Sequence, residues 1–122
     1  MQSPTLFMTQ SDVQKISSLL PAASPEIREL LTEEIARAEV VPEDQLPPGV
    51  ATMNSEIRFV DLDTHQERTV TLVYPADASA QLGRISIFAP IGAALIGLSE
   101  GQSIDWPLES GVTKHLRVLS VR

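Results

Sequence analysis

Cysteine is absent from the 122 residues, which excludes disulfides, thiolate metal sites and cysteine nucleophiles and permits a reduced compartment without requiring one. Aromatic side chains are scarce. Three Phe, one Tyr and one Trp leave little from which to build a base-stacking platform. No apolar run approaches the roughly 20 residues that cross a bilayer, and no basic segment followed by an apolar stretch opens the chain. The expectation is a cytoplasmic protein without membrane contact.

Positive charge is also in short supply. Nine Lys and Arg stand against sixteen Asp and Glu, a net charge of −7. Residues 1–48 carry three basic and eight acidic side chains, and residues 49–122 six and eight. Such a surface repels phosphate, so direct sequence-specific binding of DNA or RNA is not expected. A partner with a basic groove or channel would attract the N-terminal half.

What is present reads as two modules. Val13, Ile16, Leu19 and Leu20 recur on one helix face, with Thr9 or Ser11 available as cap and Pro21 as stop. Ser24 caps a second helix, with Pro25 at its first position, Glu26 in its first turn, and Ile27, Leu30, Leu31, Ile35 and Ala38 as its apolar stripe. The short link Pro21-Ala22-Ala23 predicts an antiparallel pair whose stripes zip together. Each helix is too short to persist alone in water, so the pair must lean on the rest of the molecule. Residues 41–49 hold three prolines and a glycine and read as a Pro-rich linker.

Beyond it the period changes to two. Ile57 and Phe59 alternate with Arg58 and Val60, a polar turn follows at residues 63–66, and Arg68–Tyr74 makes a strand rich in β-branched residues. Short strands are expected at 84–88, 103–106 and 114–121, a small apolar helix over Pro90–Leu98, and a turn at Glu109-Ser110-Gly111. Strands joined by short turns pair antiparallel and leave one face for the helix. The fold class is α+β: residues 1–40 a helical hairpin, 41–49 the linker, 50–122 a sheet domain with one covering helix.

Catalytic chemistry is hard to assemble. His65 falls in a hairpin turn, and His115 shares a strand face with Arg117 rather than with Leu116 and Val118. Neither belongs to a spaced ligand set, so no metal or cofactor is expected. Gly92 and Gly97 read as close-packing points of the small helix, since no phosphate-cradling motif surrounds them. Glu26, Glu29, Glu33 and Glu34 are expected on a solvated helix face opposite the apolar stripe. Tyr74 and Trp106, each beside a proline, are expected to seal the core edge.

The stretch from Phe88-Ala89-Pro90-Ile91-Gly92 to Ser103-Ile104 resembles the signature of the C-terminal domain of the Gre transcription factors. Residues 50–59 and 68–76 resemble the Rnk family, the regulators of nucleoside diphosphate kinase. The resemblance covers residues 41–122 by motif and residues 1–40 by architecture. It implies an FKBP-like sheet domain, an N-terminal antiparallel coiled coil, and binding of RNA polymerase near the secondary channel in competition with Gre factors.

By the same resemblance Ala89, Pro90, Ile91 and Gly92 correspond to the polymerase-contacting loop, with Ala89 lacking the hydroxyl of the family's Ser-Pro-Ile. The hairpin tip Pro21, Ala22, Ala23 and Ser24 would face the channel. Gre factors present carboxylates at a long tip to hold a catalytic metal. This tip has none, and a dozen helical residues reach only about 18 Å. The chain is thus expected to be a non-enzymatic, monomeric regulator that occludes without stimulating transcript cleavage. The alternative partner is nucleoside diphosphate kinase, as the family name suggests.

Overall fold

A computed structural model describes residues 5–107 and 111–122. Two layers make up the molecule. The first holds β1 (Phe7–Thr9), α1 (Gln10–Leu19), α2 (Pro25–Arg37) and β2 (Glu39–Val41); the second holds β3 (Glu56–Asp61), β4 (Glu67–Val73), β5 (Arg84–Ser86), α3 (Pro90–Leu95), β6 (Ser103–Pro107) and β7 (Thr113–Val121).

Both caps form where the side-chain chemistry favours them. Thr9 Oγ1 accepts the N–H of Asp12 at 3.2 Å, and Ser24 Oγ accepts that of Ile27 at 3.4 Å, with Pro25 at the first helical position. A 3₁₀ turn over Leu20–Ala22 joins the helices. Their marginal length is offset by the sheet. Ile16 of α1 and Ile27 and Leu31 of α2 are buried in the same cluster as Phe59, Leu72 and Leu95, each such side chain contributing about 1.5–3 kcal/mol. α2 packs on α3.

The five-stranded sheet has the order β5-β4-β3-β7-β6. Alternation sends Ile57, Phe59, Val70, Leu72, Leu116 and Val118 into the core. The β3/β4 hairpin turns through residues 62–66, where Asp61 Oδ1 accepts the N–H groups of Asp63 and Thr64, and His65 takes φ +64°. A bulge between Arg58 and Phe59 shifts the β3/β7 register.

Three features depart from the sequence reading. β5 pairs parallel to β4, because Pro75 ends β4 and the loop to Gly83 brings the chain back alongside in the same direction. α3 ends at Leu95 rather than Leu98, since Ile96 turns to extended ψ (131°) and Gly97 follows at φ +82°, a turn that glycine takes without strain. β1 and β2 form a parallel pair that periodicity over three residues does not reveal. Glu39 N–H donates to Leu6 O at 2.8 Å within the pair, and Phe7 N–H donates to Gly97 O at 3.1 Å, which ties the pair to the turn after α3. Of the turn expected between β6 and β7, Glu109 and Ser110 lie outside the described residues.

Candidate partner-binding site

The loop entering α3 is built on Ser86. Its hydroxyl accepts the N–H of Phe88 and its carbonyl the N–H of Ala89, both at 3.0 Å, and Ala89 in extended conformation starts the helix without a side-chain cap. Pro90 occupies the first helical position, where its missing N–H costs nothing. Gly92 is buried, and a Cβ there would collide with the Ser86 carbonyl. Close packing explains this glycine, as expected. Pro90 is exposed and Ala89 and Ile91 are half-buried, so three of the loop residues form a small apolar ledge while Gly92 lets it sit tightly on the sheet.

At the other candidate position, Pro21, Ala22 and Ser24 are exposed and Ala23 is buried. The Ala23 carbonyl accepts a hydrogen bond from Arg28 at 3.2 Å, and Ser24 is occupied in capping α2. The tip therefore presents proline and alanine to solvent, with no carboxylate. Tip and ledge are connected through α2, which Ser24 initiates and which packs on α3.

Glu34 overturns one expectation. It is 5% exposed, not solvated with Glu29 and Glu33, and its Oε2 has no hydrogen-bond partner. The reason is rotational: Ile27, Leu31 and Glu34 lie at i, i+4 and i+7 and share the stripe that faces inward. Burial pushes the Glu34 carboxyl up to about 8, with nearby Arg37 pulling the other way. A neutral carboxyl is the form that this site accepts.

A second polar feature also escaped the sequence reading. Asp12 reaches from α1 to the sheet domain, its Oδ2 accepting the Met53 N–H at 3.1 Å and its Oδ1 the Tyr74 hydroxyl at 3.5 Å. Burial raises the Asp12 carboxyl above its usual range, the Met53 N–H opposing, and the Tyr74 phenol is pushed up to about 12, chiefly by burial. Lys15 Nζ lies 4.4 Å from the Tyr74 ring centroid. Only the position of Asp12 in the first helical turn is visible in sequence, and it points to capping rather than to a partner so distant in the chain. Tyr74 and Trp106 are buried, as expected of residues that seal the core edge.

His115 is bonded through Nδ1 to Asp105 Oδ1 at 2.7 Å on the outer sheet face, while His65 lies in the β3/β4 turn. Among the described residues no group of three or more His, Asp or Glu side chains could hold a metal ion. No helix among them is long and apolar enough to cross a membrane.

Residues 46–122 match the family described as "Transcription elongation factor, GreA/GreB, C-term". The chain is 40% identical over 124 residues to the "Regulator of nucleoside diphosphate kinase" of Escherichia coli K12, covering 99% of this chain and 91% of that one. It is 34% identical over 92 residues to "Transcription elongation factor GreA" of Azorhizobium caulinodans, covering 75% of this chain and 58% of the longer protein. Among solved structures, "Prokaryotic transcription elongation factor GreA/GreB from Nitrosomonas europaea" superposes with a TM-score of 0.77 at 39% identity, over 98% of both chains.

Proposed function

Since this chain belongs to the regulator of nucleoside diphosphate kinase family and carries its GreA/GreB C-terminal domain, we propose that it is a non-catalytic transcription regulator. In this reading it binds RNA polymerase near the secondary channel and competes with Gre factors without stimulating transcript cleavage. The sheet domain, taken as FKBP-like and spanning residues 50–122, supplies the anchor. Ala89, Pro90 and Ile91 form the contact, seated on the sheet by Gly92, and residues 1–40 act as a stubby coiled-coil hairpin toward the channel mouth.

The observation that carries the proposal is the tip. α1 has 10 residues and α2 has 13, about 15 and 20 Å at 1.5 Å per residue. The sequence between them is Leu20-Pro21-Ala22-Ala23-Ser24, without an acidic side chain. Reach and charge both argue against delivery of a metal ion to a distant centre, and they favour obstruction. An excess of acidic residues in the N-terminal half suits a basic channel mouth. The missing hydroxyl at Ala89 leaves the ledge to bind by apolar contact.

Competition on purified polymerase tests this. The protein should displace a labelled Gre factor and suppress Gre-stimulated cleavage in a stalled elongation complex, while producing no cleavage alone. Cleavage by the protein alone, or no binding at micromolar concentration, would refute it. A second reading, direct contact with nucleoside diphosphate kinase, is favoured by the name of the 40%-identical Escherichia coli relative. Kinase turnover measured with and without the purified protein, in the absence of transcription, separates the two.

A further inference from the structure

We infer that the open face of the five-stranded sheet, on the side away from the helices, is a docking surface for an acidic segment of a partner protein. The cross-strand registers define what this face displays. Arg58 of β3 lies between Thr69 of β4 and Ser120 of β7, and Glu56 lies beside Thr71, whose other neighbour is Arg84 of β5. Arg117 is paired with Val60 on one side and Ser103 on the other. Period-two alternation turns these side chains away from the core, and Arg58, Arg84, Arg117 and Arg122 are all exposed.

Charge distribution makes this face unlike the rest of the molecule. Four of the nine basic residues are gathered on it in a chain of net charge −7. Among the described residues, Arg84 and Arg122 have no side-chain hydrogen bond or ion pair, and Arg117 has one, from Nε to Ser103 Oγ at 3.1 Å. Arg58 is paired with Glu67, both side chains being about half exposed; such a pair is worth little and exchanges readily for another carboxylate. Arg58, Arg122, Thr69, Ser120 and Glu56 surround a shallow depression of about 290 Å³. Guanidinium forks beside hydroxyl donors match a carboxylate in two-pronged geometry.

The partner class follows from what the face lacks. Phe59, Tyr74 and Trp106 are buried, and the ring this face does carry, the His115 imidazole, is already bonded to Asp105, so a base finds no Phe, Tyr or Trp platform there. Glu56, Glu67 and, beside His115, Asp105 break up the positive field that a phosphate backbone needs, whereas a polypeptide can place its carboxylates between them. Nothing here depends on the α3 ledge, which belongs to the other side of the sheet.

The test uses the full-length ¹⁵N-labelled protein at low salt, with a decapeptide of Asp and Glu as probe and a single-stranded oligonucleotide of equal charge beside it. The expected result is peptide-induced amide shifts clustered at Arg58, Thr69, Arg117 and Ser120, with affinity falling tenfold or more in Arg117→Glu/Arg122→Glu. Arg117→Gln/Arg122→Gln gives the same readout if the reversed variant folds poorly, and the wild-type shift map needs no variant. Absence of peptide binding, shifts lying elsewhere, or affinity unchanged in both variants overturns the inference. Tighter binding of the oligonucleotide at the same face overturns the choice of partner.

Discussion

The carboxylate of Asp12, in the first turn of α1, accepts the backbone N–H of Met53 at 3.1 Å across 41 residues of sequence. The same residue receives the Tyr74 hydroxyl at the end of β4. One side chain thereby holds the helical layer to two loops of the sheet layer. Asp12→Ala leaves the Met53 N–H without its partner in a partly buried setting, a loss of about 1–3 kcal/mol. Urea unfolding should show the loss, and Asp12→Asn, whose side-chain oxygen can still accept that N–H, should recover part of it. Equal destabilisation by both variants would mean that the Met53 bond carries no weight.

Glu34 should make stability fall as pH rises. Its carboxyl titrates near 8 in the folded protein against an ordinary value of 4.5. Below 4.5 both states are protonated; between 4.5 and 8 only the unfolded chain releases the proton; above 8 the difference is complete. The slope within that window approaches about 1.4 kcal/mol per pH unit for this group alone. Glu34→Gln keeps the shape, removes the titration, and should raise the urea midpoint at neutral pH while flattening its pH dependence. An unaltered slope in the variant would assign it to other groups.

Gly92 allows α3 to touch the backbone of β5. Gly92→Ala sets a methyl group against the Ser86 carbonyl, which cannot swing aside as a side-chain end can. A cost of about 1–3 kcal/mol follows, read as a lower melting temperature together with amide shifts at Ser86, Phe88 and Ala89. A variant as stable as the parent would show that the loop can move, and would weaken the case for a preformed ledge.

Ser24 gives a local test of the tip. Ser24→Ala removes the acceptor for the Ile27 N–H and should cost about 1 kcal/mol. Because the tip has no metal-holding group to lose, cleavage by stalled polymerase should remain at the level without protein. Circular dichroism and a cleavage assay on the same sample check both halves.

His115 should titrate above its usual range. The Asp105 hydrogen bond is the main cause, with the charge of Asp63 and Asp61 adding to it and burial opposing. Asp105→Asn should bring the NMR titration of His115 down toward 6.5. The sign for stability is that of any histidine raised by a partner: the contribution is present below the unfolded value and fades as pH rises through the folded one. Both groups are exposed, so the NMR midpoint is the informative measurement.

Local chemistry was legible in the amino-acid sequence. Ser24 as a cap and Thr9 as one of two candidate caps, Pro25 and Pro90 as first helical residues, the alternation that buries Ile57, Phe59, Val70 and Leu72, and the polar turn before β4 all rest on interactions within a few residues. The family resemblance lies in the same stretches, because α3 and its flanking strands are contiguous in the chain. Tertiary structure alone decided that β7 inserts between β3 and β6, that β5 runs parallel to β4, and that β1 pairs with β2. It also turned Glu34 inward and joined Asp12 to Met53. These outcomes depend on which distant surfaces meet when the two layers close, and a pairing between residues dozens of positions apart leaves no period or spacing in the chain that forms it.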